Sequence, residues 1–190
     1  MSLDHALLVS LLEKPSSGYE LARRFDRSIG YFWHATHQQI YKVLARMEEA
    51  GWVEATLEAG AAAPDRRLFC VSAAGRTELD RWLTEPSDPD GVRDSLMVKL
   101  RGAAFADPAR LLPELEHHRA AHANRLTAYR VIEARDFSGE LDLQRTLQYQ
   151  VLKSGIRFEQ GWLEWCDETL FLLRGLAAGK PRTTPRRKTR

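Results

Sequence analysis

Apolar positions near the start of the chain recur at helical spacing. Leu3, Leu7, Leu8, Leu11 and Leu12 share one face, and the run stops at Lys14-Pro15, because a residue ahead of proline is pushed out of helical geometry. Ser17-Gly-Tyr-Glu20 is a capping-box pattern opening a second helix, with Leu21, Ala22 and Phe25 inward and Arg23, Arg24 and Arg27 outward, to about Ile29. Residues 30–35 form a turn whose Tyr31, Phe32, Trp33 and His34 are expected to fill the space before a third helix. That helix occupies residues 36–51. Thr36 caps its start, Gln39 reaches back to the Thr36 amide, and Gly51 supplies the left-handed residue that ends it. Ile40, Val43, Leu44 and Met47 make its apolar stripe.

Past Gly51 the period changes. Residues 52–57 alternate and include β-branched positions, and residues 67–71 are a second strand-like run, so they read as two strands around a loop at 60–65. Ser72 opens a fourth helix with Leu79, Trp82 and Leu83 inward, and residues 84–91 are a turn-rich linker. Residues 1–85 therefore have the plan of a winged helix-turn-helix domain with a two-stranded wing. The rest reads as helix. Leu96, Met97 and Leu100 share a side, Asp107-Pro108 is a cap with proline at the first helical position, and Pro113 kinks or restarts that helix. Leu115, His118, His122, Leu126, Tyr129 and Ile132 then follow at seam spacing until residues 136–139 break the pattern. The last helix, 141–173, carries two stripes. One is Leu143, Leu147, Val151, Ser154, Phe158, Trp162 and Trp165; the other is Leu152, Ile156, Leu163, Cys166, Leu170 and Leu173. Two apolar faces need two partners, so residues 92–174 are read as an all-helical homodimerisation domain. The fold class expected is mainly α.

Composition narrows this picture. With 190 residues and 44% hydrophobic content the chain can bury a real core, yet no apolar run is long enough to cross a bilayer. The N-terminus lacks the charged-then-apolar pattern of a signal peptide, so a cytoplasmic protein with no membrane partner is expected. Cys70 and Cys166 have neither disulfide nor zinc spacing. The net charge is +2, but six basic groups and no acid fall within residues 180–190, leaving −4 on residues 1–179. Residues 180–190 are read as a disordered basic tail, and any nucleic-acid surface elsewhere must be local.

The third helix supplies that surface. His37, Gln38, Tyr41, Lys42 and Arg46 lie on or near the side opposite its stripe. Gln38 or Gln39 can bond an adenine edge bidentately, Lys42 or Arg46 can meet guanine or phosphate, and Tyr41 can reach a phosphate. Capping competes with base contact for Gln39, as burial against the wing does for Tyr41. Arg66 and Arg67 stand at the base of the wing, and Ser17, Gly18 and Tyr19 offer helix-start amides to a phosphate. A plain solvated face is the alternative for these groups. Arg23, Arg24 and Arg27 either clamp the DNA backbone or pair with Glu20 and Asp26. Glu114, His118 and His122 are spaced for a metal, but the histidines fall on the packing seam and no metal or other cofactor is assigned. Phe158, Trp162 and Trp165 line a pocket for a planar effector or are plain core. No paired carboxylates, glycine-rich phosphate loop or activated nucleophile is present, so catalytic residues are not assigned and an enzyme is not expected.

Ser17-Gly-Tyr-Glu-Leu-Ala22, Gln39-Ile-Tyr-Lys-Val-Leu44, Glu48-Glu-Ala-Gly-Trp-Val53 and Val71-Ser-Ala-Ala-Gly-Arg-Thr-Glu-Leu-Asp-Arg-Trp-Leu83 together resemble the PadR family of bacterial transcriptional regulators. Val92-Arg-Asp-Ser-Leu-Met-Val-Lys-Leu100 and the tryptophan-bearing last helix resemble the C-terminal half of its longer subfamily. The wing strand departs from the pattern, reading Arg67-Leu-Phe-Cys-Val-Ser72 where a basic residue and a tyrosine are usual. The resemblance implies a homodimeric, usually repressing regulator of a double-stranded DNA operator, released by a small aromatic or hydrophobic effector. A winged-helix protein-interaction module without sequence-specific DNA binding is the rival expectation, mildly favoured by the acidic bulk charge.

Overall fold

The computed structural model describes residues 3–26, 35–58, 66–88 and 94–179, which fall into two compact units divided between Asp90 and Gly91. Arg27, the aromatic turn with Tyr31, Phe32, Trp33 and His34, the wing loop 59–65 and the basic tail 180–190 lie outside the described residues.

In the first unit the order is α1 (Leu3–Glu13), β1 (Ser16–Ser17), α2 (Gly18–Asp26), α3 (His37–Glu49), β2 (Val53–Glu58), β3 (Arg66–Val71) and α4 (Ala73–Leu83). Leu7, Leu8 and Leu11 of α1, Leu21, Ala22 and Phe25 of α2, and the whole expected stripe of α3 close one core with Val53, Phe69 and Leu79. Gly51 takes φ +71, so the left-handed stop after α3 stands. β2 and β3 pair antiparallel from Val53–Val71 to Glu58–Arg66, giving the wing its two strands. One strand was not foreseen: β1 pairs with the other edge of β3, Ser16 opposite Phe69 and Ser17 opposite Leu68. Two serines carry no strand signal; the backbone of β3 recruits them. Leu83 is exposed rather than inward, since α4 ends there and only Leu79 and the half-buried Trp82 face the core.

The second unit is helical, as expected: α5 (Ser95–Gly102), two 3-10 turns (Ala103–Phe105 and Pro108–Leu111), α6 (Leu112–Asp136) and α7 (Leu143–Gly179). Asp107 caps the second 3-10 turn, and Pro113 sits in the first turn of α6, so it restarts the helix rather than kinking it. Cross-links run in opposite order, from Arg174–Glu116 through Arg119–Asp167 and His122–Glu159 to Tyr149–Glu133, making α6 and α7 an antiparallel hairpin. At 37 residues against 25, α7 outruns its partner by 12 residues, or about 18 Å. Beside the paired stretch, Leu96 of α5 clusters with Leu115 of α6 and with Cys166, Leu170 and Leu173 of α7. Among the described residues no helix is long and apolar enough to cross a membrane.

Candidate nucleic-acid interface

The start of α3 is fixed by local chemistry. Thr36 Oγ1 accepts from the Gln39 amide at 3.2 Å, and Gln39 Oε1 accepts from the Thr36 amide at 2.8 Å, the reciprocal pair the sequence implied. The Gln39 oxygen is therefore committed to the cap, which leaves it a poor bidentate reader of adenine.

From that start, Gln38, Tyr41, Lys42, Ala45 and Glu49 fall on one exposed arc, opposite the buried Ile40, Val43, Leu44 and Met47. The side chains of Gln38 and Lys42 form no hydrogen bond or ion pair with another described residue. His37 and Arg46 stand at the flanks of the arc. His37 Nε2 lies 2.7 Å from Asp26 Oδ2, and Arg46 donates at 2.5 Å to Asp4 of α1.

The wing arginines are also held by acids. Arg66 donates to Glu20 Oε1 at 2.8 Å, and Arg67 donates to Glu48 Oε1 at 2.5 Å while lying over the Phe69 ring. Glu20 thus pairs with the wing, and Asp26 with His37, where the sequence suggested neighbouring arginines of α2. The Ser17 amide, the Ser17 hydroxyl and Arg66 together hold the Glu20 carboxyl below the usual carboxylate range.

At the head of α2, Ser17 and Glu20 form the second capping box, and Tyr19 projects into solvent with Arg23 over its ring. A Cβ on Gly18 would meet Tyr41 Cε1 at 2.6 Å, so the glycine leaves room for the Tyr41 ring at the head of α2. Lys14, Arg23, Arg24 and Arg66 surround an open basin there, with Glu20 as the acid among the described residues that line it. Arg24 does not point outward as expected. It donates to the Ser10 carbonyl at 2.5 Å and the Lys14 carbonyl at 2.7 Å, joining the Lys14 amide and the Ser16 hydroxyl that also donate to them at the end of α1. Burial lowers its pKa from the ordinary arginine value.

In the second unit the last-helix stripes part company. The second stripe supplies core residues, whereas Leu143, Leu147, Val151 and Phe158 of the first stay exposed. Trp162 and Trp165 instead turn half inward and pack against the core cluster, so Phe158 is the exposed member of the proposed effector trio. Between α6 and α7, the buried His122 stacks on Trp162 at 4.6 Å, with its Nδ1 2.5 Å from the buried Glu159; Arg125 donates to the same carboxylate at 2.9 Å. Glu114, on the same helix, pairs with Lys99 of α5. Neither this cluster nor the acids beneath Arg66, Arg67 and Arg46 was legible beforehand, because each pair joins residues from separate elements.

Comparison with known proteins gives this geometry a setting. The family model described as "Transcriptional regulator PadR-like family" matches residues 7–81, and "Virulence activator alpha C-term" matches residues 92–174. A probable transcriptional regulator of Mycobacterium tuberculosis is 47% identical over 180 residues, covering 88% of this chain and 95% of that protein. The Vibrio cholerae virulence activator AphA superposes with a TM-score of 0.78 at 30% identity, covering 92% of this chain and 99% of AphA. Bacillus subtilis PadR in complex with operator DNA shares the fold, with a TM-score of 0.76 at 21% identity over 90% of this chain and 98% of that one. The chain belongs to the PadR-like family of transcriptional regulators, which are not enzymes.

Proposed function

We propose that the protein is a cytoplasmic, homodimeric repressor that binds a pseudo-palindromic operator through α3 and releases it when a small aromatic or hydrophobic effector binds the helical unit. The observation that carries the DNA reading is the α3 arc: Gln38, Tyr41 and Lys42 stand together, exposed, on a helix capped at its start and flanked by a wing bearing Arg66 and Arg67. Such an arc placed in a major groove presents an amide for a base edge and a cation and a hydroxyl for phosphates. Ser17, Gly18, Tyr19 and Thr36 border it; His37 and Arg46 flank it. Two copies joined through the exposed α7 stripe present two such arcs to two half-sites. The structure of Bacillus subtilis PadR with p-coumaric acid supports a small-molecule effector in this fold, and exposed Phe158 beside Trp162 and Trp165 is the surface assigned to it here. The side chains of Lys42 and Gln38, unpaired among the described residues, favour DNA over a protein-docking module.

A mobility-shift titration tests the reading. Wild-type protein is expected to shift one duplex selectively, with affinity falling steeply as salt rises. Lys42→Ala weakens binding to all duplexes, whereas Gln38→Ala relaxes preference at one base position. Absence of any selective shift at low salt sinks the repressor reading.

A further inference from the structure

Resting on that DNA reading, we propose that Glu20 and Glu48 are built-in competitors of DNA phosphate that latch the wing arginines Arg66 and Arg67 and thereby set both the strength and the salt dependence of operator binding. Each latch joins separate elements at the protein surface: Arg66 Nη1 to Glu20 Oε1 at 2.8 Å, 46 residues apart, and Arg67 Nη2 to Glu48 Oε1 at 2.5 Å, 19 residues apart. All four side chains are at least one-third exposed, so a phosphate can reach the arginines and displace the acids.

Two readings of such pairs oppose one another. A latch that positions the wing would assist binding, and a latch that competes with phosphate would temper it. The sheet decides between them. β3 is already fixed on both edges by backbone pairing, to β1 at Phe69 and Leu68 and to β2 from Arg66 to Val71, so the side-chain latch adds little to its placement. What remains is a negative charge kept beside each wing cation. The whole unit leans the same way, since residues 1–90 hold ten Lys and Arg against fourteen Asp and Glu, a formal charge of −4.

The exchange has a thermodynamic signature. An exposed cation such as Lys42 that meets a phosphate releases a condensed counterion, and the binding constant falls with salt accordingly. When Arg66 leaves Glu20 for a phosphate, the DNA loses a counterion but the bared carboxylate attracts one, so part of the salt dependence cancels. Latched arginines therefore contribute less slope than Lys42 does.

Fluorescence anisotropy on the full chain, with the duplex that wild type selects and varied salt, tests this. Glu20→Gln keeps the α2 cap, because the amide oxygen still accepts from the Ser17 amide; Glu48→Gln is isosteric within α3. Each is expected to tighten binding about two- to fivefold, the range of an exposed ion pair, and to steepen the log affinity against log salt slope by up to about one. Asp80→Asn on α4 makes the same charge change away from the wing and should move neither quantity. Binding that is unchanged or weaker in both glutamine variants, or an equal gain in Asp80→Asn, overturns the latch while leaving the DNA reading intact. A wild-type protein that selects no duplex overturns both.

Discussion

The exposed stripe of α7 offers a direct test of the proposed dimer. Leu143, Leu147, Val151 and Phe158 leave 76, 58, 49 and 60% of their surface exposed. Fully burying such a side chain is worth about 1.5–3 kcal/mol, so covering what remains gains about 5 kcal/mol per protomer and about 10 kcal/mol for a two-fold pair using the patch twice. Association and side-chain ordering take back about 4–15 kcal/mol, which leaves the stripe close to balance and in need of further contacts. Phe171, Leu172 and Leu176, exposed near the end of the same helix, are apolar surface of the right kind. A thin margin makes one charge decisive. Val151→Asp removes about 1 kcal/mol of burial from each protomer and sets two carboxylates against apolar surface, a total loss of about 4 kcal/mol or more, or at least about a thousandfold in dimerisation. Val151 is half exposed, so the monomer should keep its helicity and unfolding midpoint. Sedimentation equilibrium across the micromolar range reads the outcome: wild type as dimer, Val151→Asp as folded monomer. A folded variant that dimerises with the wild-type constant refutes the assignment of this stripe.

Three further outcomes are expected. Glu159→Ala leaves the buried His122 without its acceptor and Arg125 without its carboxylate, and should cost about 3 kcal/mol in urea unfolding; Glu159→Gln, which still offers an amide oxygen to Arg125, should stay within about 1 kcal/mol. Hydrogen bonds from Arg81 and His5 pull the Glu78 carboxyl from the ordinary 4.5 to about 2. Its folded pKa being depressed, its contribution is present above pH 4.5 and is lost as pH falls from there toward 2; acid unfolding of Glu78→Gln should lack that component. Gly18→Ala must displace Tyr41, whose ring stands 2.6 Å from the new Cβ, so operator affinity should fall with little change in thermal midpoint. Unaltered affinity in that variant removes Tyr41 from the interface.

What was legible in the sequence was local. Both capping boxes join residues three apart, and the α3 stripe needs only the helical period, so each could be read without knowing any neighbour. Arg24 escaped the same logic because its partners are the carbonyls of Ser10 and Lys14, which only the packing of α2 on α1 brings near. The wing carried enough alternation for β2 and β3, but β1 is two serines defined by the free edge of β3. The site divides likewise. Gln38, Tyr41 and Lys42 were placed by period alone, whereas the acids of Arg46, Arg66 and Arg67 lie 42, 46 and 19 residues away and follow from tertiary contact.

That division bears on why the protein needs its helical unit at all. A reading head with net charge −4, whose wing arginines and Arg46 already hold carboxylates, gains little from the DNA backbone until those pairs are exchanged. On the proposed reading, Lys42 is the cation of the α3 arc that would enter the groove with its side-chain charge uncommitted to another described residue. On that reading one head would be a weak binder of any duplex, and sequence preference through Gln38 would add only about 1–3 kcal/mol per base pair read. Joining two heads makes the second engagement intramolecular, which can multiply affinity about 10²–10⁴-fold without a new protein–DNA contact. On this account the apolar stripe of α7 contributes as much to operator affinity as the polar arc of α3 does. An effector that shifts α7 by a small amount then acts where affinity is most sensitive, on the simultaneous fit of two weak heads.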